Sequence, residues 1–462
     1  VQPIVTPDEM AAIDAAAADA VEVLIGRAGA AVARAALRLL GGAYGRRVVV
    51  VAGKGNNGAD GRAAARFLEA RGVRCTVVDA AAPPPALPPA HLVIDAAYGT
   101  GFRGSYAFPT LTPAPGTSHA PPVLAVDIPS GISGLTGEAS GTPATAAATV
   151  TFAALKPGLL LADGPDAAGT VELADIGLDV SSARASLVEP ADVASWLPEP
   201  PRGTHKWRSA VWLVAGSPGM TGAAHLATAA AMRSGAGYAR LSSPGADVDP
   251  QAPTEAVQVP LPQKGWAPAV LADLRRFAAL AVGPGLGTHE DTAAEVRALI
   301  GRSGLPTVVD GDGLRALGPQ AAEVCGTRPD GGAGVVLTPH DGEFAALAGD
   351  APGPDRFAAA RDLAARTGAT VLLKGPTTLV ARPDGWVWAA IDGDARLATA
   401  GSGDVLTGIL AGLLAQGLPP DRATAAAACV HGRAGVLAWR RGLVAHDLVD
   451  HLPATFAAIA GG

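Results

Sequence analysis

The sequence predicts an α/β protein built as two successive three-layer domains. Three observations carry that expectation. Short, apolar, β-branched segments alternate with Ala-rich helical ones along the chain, the pattern of mostly parallel sheets covered by helices. The 462 residues exceed what one ordinary hydrophobic core organises. The alternation is interrupted at Pro198–Lys206, where three prolines fall within four residues before strand-like segments resume. One domain over residues 1–200 and a second over residues 203–462 are therefore expected; a single sheet holding every strand would be unusually large.

The first domain opens on Thr6-Pro7-Asp8-Glu9, a capping box with proline at the first helical position. A helical pattern runs from there to about Leu40 and is stopped by Gly41-Gly42. Arg47–Ala52 reads as a buried central strand, with further strands at Val73–Asp79, His91–Asp95, Val123–Asp127, Thr149–Ala153 and Val171–Leu173. The Pro-rich stretch Pro83–Pro89 lies between two of them and reads as a loop. In the second domain the strands fall at Val211–Gly216, Leu280–Gly283, Thr307–Asp310, Val335–Thr338 and Val371–Lys374. Ligands of such sheets gather at the carboxyl ends of the strands, so two sheets give two candidate sites.

Composition narrows the class of partner. At 49% hydrophobic and 17% charged the chain is globular rather than disordered. A net charge of −7 argues against nucleic acid or an anionic membrane as partner, although a Gly-rich loop can still hold a small anionic ligand. No apolar run is long enough to span a bilayer, and the first residues lack the basic and apolar regions of a signal peptide. Cys75, Cys325 and Cys429 lie far apart with no CxxC spacing, and no histidine pair has metal-ligand spacing, which disfavours disulfides and zinc. The expectation is a cytoplasmic, homo-oligomeric enzyme acting on small molecules.

The first candidate site begins where the strand ending at Ala52 enters Gly53-Lys54-Gly55-Asn56-Asn57-Gly58-Ala59-Asp60-Gly61. Gly53, Gly55 and Gly58 satisfy GxGxxG, which alone also fits a plain strand-to-helix turn. The loop's amide and carboxylate oxygens exceed what a turn needs. Two further strands end in carboxylates: Asp95, followed by Gly99-Thr100-Gly101-Phe102-Arg103-Gly104-Ser105, and Asp127, followed by Ile128-Pro129-Ser130-Gly131. Each aspartate singly reads as a cap or turn residue. Together they offer hard oxygen ligands for a cation and a carboxylate for proton transfer. These three motifs, in this order, resemble the NAD(P)H-hydrate epimerase domain. The resemblance implies a Rossmann-like fold, a potassium ion held by Asn57, Asp95 and Ser130, and substrate along Asn56, Asn57, Gly58, Ala59 and Asp60. It also implies substrate along Gly99, Thr100, Gly101, Phe102, Arg103, Gly104 and Ser105, with Asp127 as the acid/base residue. Ala59 departs from the family's usual glycine.

The second candidate site centres on Gly401-Ser402-Gly403-Asp404, which opens an apolar helix over Val405–Leu414. Amides at a helix start hold phosphoryl groups, and Asp404 can accept a proton from a substrate hydroxyl; an aspartate cap on a tight turn is the plainer alternative. Lys374-Gly375-Pro376-Thr377-Thr378, Gly283–Gly287 and Thr338-Pro339-His340-Asp341-Gly342-Glu343 also follow strands. With Gly216–Ala224 they resemble the NAD(P)H-hydrate dehydratase branch of the ribokinase-like superfamily. The resemblance implies that the hydrate contacts Ala223, Gly285, His340 and Asp404, with Asp404 catalytic. It implies that ADP, accompanied by magnesium, contacts Lys374, Gly375, Pro376, Thr377, Thr378 and Gly403. At His205-Lys206-Trp207 the family usually has His-Lys-Gly. Hydrated NADH or NADPH and ADP are thus the expected small-molecule partners. Two rival readings stand beside this one: a sugar or vitamin kinase with an accessory first domain, which the first constellation argues against, and a first domain that only senses nucleotide or binds protein, which the joint presence of Asn57, Asp95 and Asp127 argues against.

Overall fold

The computed structural model describes residues 1–332 and 334–461. They form two compact units, Gln2–Ala185 and Ser186–Gly462, the second also taking in Val1. The division falls earlier than the proline-rich stretch. Val188 donates its N–H to Ala389 O (2.9 Å), and Val193 on the helix Pro190–Trp196 is buried in the second unit's core. Pro198–Pro201 is therefore a surface connection inside the second unit.

In the first unit six parallel strands lie in the order Arg74–Asp79, Arg47–Ala52, Leu92–Ala96, Val123–Val126, Ala148–Phe152, Thr170–Ala174. Alternation divides their side chains between two faces. Val48, Val50 and Ala52 pack with Ile94 and Leu124 beneath the helices Val21–Leu40 and Asn56–Glu69. Val49 and Val51 face the other way, against Leu87, Ala90 and Tyr106, so irregular chain rather than helix supplies much of that layer. From Arg47–Ala52 the chain crosses to one neighbour and then back to the other. The carboxyl ends of Arg47–Ala52 and Leu92–Ala96 thus flank the point where strand order reverses, the usual crevice of an open α/β sheet.

The capping box forms as expected: Thr6 Oγ1 accepts from Glu9 N (3.2 Å) and Glu9 Oε2 accepts from Thr6 N (2.7 Å). The single long helix does not form. Pro7–Ala15 and Val21–Leu40 are separate helices. In the break, Asp19 pairs with Arg27 (2.7 Å), whose Nη1 also donates to Ile176 O (2.8 Å). Alanine favours helix throughout Ala15–Ala20, so local propensity gives no sign of a break that tertiary contacts impose.

In the second unit the strands Val257–Gln258, Tyr238–Ser242, Ala210–Val214, Ala279–Val282, Thr307–Val309, Val335–Leu337 and Thr370–Leu373 lie side by side, all parallel. Thr378–Ala381 and Val387–Ala390 extend the sheet antiparallel, a meander the sequence reading did not anticipate. Helix Ser402–Ala415 is buried from Val405 to Ala415, which explains why it is apolar all round. It packs on Thr221–Arg233 so closely that a Cβ on Gly408 would sit 2.1 Å from Ala227 O.

Candidate functional sites

The first unit holds a cavity of about 970 Å³ at the carboxyl ends of its strands. Asn56, Asn57 and Asp60 line it from the first turns of helix Asn56–Glu69, and Gly99, Thr100, Gly101, Phe102 and Arg103 from the loop after Leu92–Ala96. Asp127 lines it from the end of Val123–Val126. The glycines serve close approach: a Cβ on Gly53 would fall 2.0 Å from Ala97 O, and one on Gly58 would fall 1.9 Å from Gly53 O. Gly58, Ala59, Gly104 and Ser105, also expected at the substrate, are not among the residues lining this cavity. Ala59 sits inside the helix with its N–H bonded to Gly55 O, so its methyl does not obstruct the loop.

Asp127 adopts φ 66°, a conformation non-glycine residues rarely take. Its Oδ1 accepts from Lys156 Nζ at 2.5 Å and from Thr151 Oγ1 at 3.1 Å. Lys156 is 1% exposed and also donates to Thr151 Oγ1 and Phe152 O, so all three of its protons are engaged. Asp127 Oδ2 lies on the Gly99 side, 3.8 Å from where a Gly99 Cβ would be. Asp60, by contrast, is pushed up to about 8 by burial first, then by the charges of Asp127 and Asp14. One carboxylate therefore carries a lysine partner, while burial and neighbouring like charge favour the protonated form of another.

Behind the cavity, Asp95 is fully buried. It accepts from Ser130 Oγ (2.6 Å), Ser130 N (2.9 Å) and Ala97 N (3.3 Å), yet burial still raises its pKa. Among the described residues no cation pairs with it. Asn57 is placed where both its side-chain nitrogen and oxygen are buried without a partner. A buried carboxylate without counter-charge and an orphaned amide oxygen fit a hard, weakly charged cation. Among the described residues no group of three or more His, Cys, Asp and Glu has metal-site geometry, so a multi-carboxylate divalent cage is not the fit.

In the second unit, Gly401 (φ 91°) caps helix Ser402–Ala415 and puts Gly403 and Asp404 in its first turn. A Cβ on Gly403 would lie 3.5 Å from Lys374 Nζ and 3.7 Å from Asp310 Oδ2. Lys374 pairs with Asp310 Oδ1 at 2.5 Å, and Thr338 and Thr407 donate to the same carboxylate at 2.7 and 2.8 Å. Glu343 reaches Lys374 at 3.9 Å and His340 at 3.5 Å. His340 caps Asp341–Ala348 by accepting from Gly342 N and Glu343 N through Nδ1, which leaves Nε2 as the donor. Asp404 is pushed up to about 6, by burial first and then by Asp310, with Lys374 opposing.

Ala223, in the first turn of helix Thr221–Arg233, meets Gly285 on the loop after Ala279–Val282. Gly216 N donates to Pro284 O (2.7 Å), Ser217 Oγ to Gly285 O (2.9 Å), and a Cβ on Gly285 would fall 3.3 Å from Ala223 Cβ. Gly287 N donates to Asp312 Oδ2 (2.8 Å), which ties the Gly283–Gly287 loop to the segment after the Asp310 strand end. Gly375, Pro376 and Thr377 form the connection between Thr370–Leu373 and Thr378–Ala381, where Thr378 Oγ1 donates to Gly375 O at 3.4 Å. Trp207 needs no unusual backbone; it lies in the 3-10 turn Lys206–Ser209 and packs on Tyr238 at 4.2 Å.

Both units match known protein families. Residues 211–454 match the family described as NAD(P)H-hydrate dehydratase, and residues 21–88 and 79–158 match the YjeF-related protein N-terminus. A bifunctional NAD(P)H-hydrate repair enzyme of Moorella thermoacetica is 36% identical over 88% of this chain and 87% of its own length. One from Mycobacterium tuberculosis is 40% identical, over 83% and 82%. The chain belongs to the bifunctional NAD(P)H-hydrate repair enzyme family. The crystal structure of an ADP/ATP-dependent NAD(P)H-hydrate dehydratase from Bacillus subtilis, co-crystallised with ATP and Mg²⁺, is 30% identical with a TM-score of 0.50, covering 59% of this chain and 97% of that one. A ribokinase-like superfamily protein from Enterococcus faecalis, 22% identical with a TM-score of 0.53 over 60% of this chain and 97% of that one, shares the fold. Membership of the repair family disfavours the rival readings, since its bifunctional members match across both units.

Several residues at these two candidate sites carry no signal in the sequence. Lys156 follows Ala153-Ala154-Leu155 outside any motif. Asp310 was read only as a strand end, although Asp310-Gly311-Asp312-Gly313 repeats the carboxylate-then-glycine pattern of the other site loops. Asp14, Asp79 and Lys54 line the first cavity from segments read as plain helix, strand and loop.

Proposed function

We propose that this chain repairs hydrated NADH or NADPH, with epimerisation in the cavity of the first unit and nucleotide-dependent dehydration at the Gly401–Asp404 turn of the second. The observation that carries the reading is the pairing of roles within each site. Asp127 is held by Lys156 beside a cavity that can admit a nucleotide, and Asp404 opens a helix above the Lys374–Asp310 pair.

In the dehydration, the substrate carries a hydroxyl on its nicotinamide ring, and hydroxide is a poor leaving group. Asp404 takes the hydroxyl proton, the oxygen attacks the terminal phosphoryl of ADP, and AMP departs. The ring nitrogen's electron pair then expels phosphate, and loss of the neighbouring ring proton restores the dihydropyridine. The amides of Gly401–Gly403 face the transferring phosphoryl, and Lys374 balances its charge. His340, Ala223 and Gly285 hold the hydrate; Gly375, Pro376, Thr377 and Thr378 hold the nucleotide. Magnesium would accompany the nucleotide phosphates and neutralise them.

In the epimerisation, the ring carbon–oxygen bond breaks and re-forms on the opposite face. Asp127 Oδ2 exchanges the proton with the departing or returning oxygen, while Lys156 and Thr151 fix Oδ1. Potassium, held by Asn57, Asp95 and Ser130, would supply counter-charge to the buried carboxylate. A direct test is to incubate one purified epimer without nucleotide and separate the two by chromatography. Interconversion that vanishes in Asp127→Ala supports the assignment, and no interconversion in the unaltered chain removes it.

A further inference from the structure

Asp60 and Asp127 line the same cavity of the first unit in unlike surroundings. Asp60 stands three residues past Asn57 and four past Asn56 on helix Asn56–Glu69, so the three share a helix face. It is 8% exposed, and among the described residues no hydrogen bond or ion pair engages its carboxyl. Asp127, by contrast, has Lys156 and Thr151 on Oδ1. Resting on the epimerisation proposed above, we infer that Asp60 is the acid that gives its proton to the departing ring hydroxyl, on the face of the ring opposite Asp127.

Inverting a ring carbon by carbon–oxygen cleavage needs a proton donor for the oxygen that leaves and an acceptor for the water that returns on the other face. Inverting glycosidases divide these roles between two carboxyls in unlike environments. The cavity offers such a pair. Buried without a donor beside it, the Asp60 carboxyl is more stable neutral, and a neutral carboxyl carries an O–H. Asp60 lies beyond the first helical turn, where the helix dipole no longer favours a carboxylate. Asp127 and Asp14 add like charge from the strand end and from helix Pro7–Ala15. The cations around the cavity do not offset it: Lys156 is engaged by Asp127, Arg27 by Asp19, and Lys54 and Arg103 are exposed. In the step itself, Asp60 protonates the hydroxyl oxygen, the carbon–oxygen bond breaks with its electron pair on oxygen, and water leaves. The ring nitrogen's lone pair meanwhile forms the iminium. On the opposite face a water oxygen bonds the same carbon, Asp127 Oδ2 takes one of its protons, and the iminium pair returns to nitrogen. One proton has passed from Asp60 to Asp127, and exchange with solvent returns it.

The test reads kcat and KM of the full chain for epimerisation of one purified hydrate epimer without nucleotide, across pH. Asp60→Asn keeps the side chain's size and its capacity to donate a hydrogen bond, but has no proton to transfer. It should lower kcat by at least ~10²-fold, the lower end for loss of a general acid, and leave KM nearly unchanged. Burial first, then Asp127 and Asp14, push Asp60 up to about 8, and only the protonated form donates. For the unaltered chain kcat/KM should therefore fall as pH rises through that value, and the variant's residual rate should lack the fall. A variant that raises KM and keeps kcat makes Asp60 a substrate-holding residue and overturns the inference, as does a fall that persists in the variant. A level kcat/KM between about pH 7 and 9 in the unaltered chain also overturns it, while leaving the proposed epimerase standing; that arm needs no variant to fold. If the unaltered chain interconverts nothing at any pH, the epimerase reading itself fails and takes this inference with it.

Discussion

Lys156 Nζ lies 2.5 Å from Asp127 Oδ1, and the lysine is almost wholly buried. Removing one partner of a buried ion pair strands the other. The pair also fixes Asp127 Oδ1 and leaves its second oxygen on the Gly99 side of the cavity. Lys156→Met should leave an uncompensated carboxylate, destabilise the first unit by about 3–5 kcal/mol, and abolish epimerisation. Adding Asp127→Asn should recover part of the stability and none of the activity. Urea denaturation of the single and double variants measures both; equal stability of the single variant and the unaltered chain would remove the pair from the account.

Asp127→Ala should stop epimer interconversion while sparing dehydration of the directly usable epimer, because the two carboxylates belong to different compact units. Assaying both reactions on one purified variant checks this. A parallel fall in dehydration would mean the sites are not independent.

Asp404→Asn should lower dehydration by at least ~10²–10⁴-fold, the range for loss of a general base, without loss of fold. Near-normal turnover in a well-folded variant would reassign the base.

Dehydration should also depend on pH through the same group. Only the carboxylate form accepts a proton, and Asp404 is pushed up to about 6. kcat/KM for dehydration should be full above that value and fall as pH drops through it. Stability runs the other way. Between the ordinary 3.8 and about 6 the folded chain holds a proton that the unfolded chain releases, so this group's contribution to stability is lost as pH rises through that window. A dehydration profile flat from pH 7 to 5 would contradict the assignment.

Epimerisation should require potassium. Replacing it with a bulky organic cation leaves Asp95 buried without counter-charge and Asn57 unpartnered. Unchanged rates in potassium-free buffer, with no anomalous scattering at Asn57 in potassium-soaked crystals, would remove the ion from the mechanism.

Much of this was legible in the sequence, for physical reasons. Arg47–Ala52 announces itself because a strand buried on both faces must be apolar throughout, and Gly401–Asp404 because a helix start that meets a ligand needs glycine and an acid at fixed offsets. What stayed hidden was set by tertiary contact. Lys156 becomes meaningful only once the strand ends of Val123–Val126 and Ala148–Phe152 lie side by side. The break at Ala16–Ala20 depends on Arg27 and Ile176, the latter far along the chain. The meander Thr378–Ala381 and Val387–Ala390 was legible and passed over: its strands are short, but Arg382–Trp386 between them carries Pro383-Asp384-Gly385, a hairpin-turn signal.

The central claim is that two sites in one chain together restore a mixture of hydrate epimers. The most direct measurement follows reduced-nicotinamide absorbance after mixed epimers are supplied with and without ADP or ATP. The account predicts complete recovery only with nucleotide, recovery halting at the usable epimer's share in Asp127→Ala, and none in Asp404→Asn. No nucleotide-dependent rise in absorbance by the unaltered chain would contradict it.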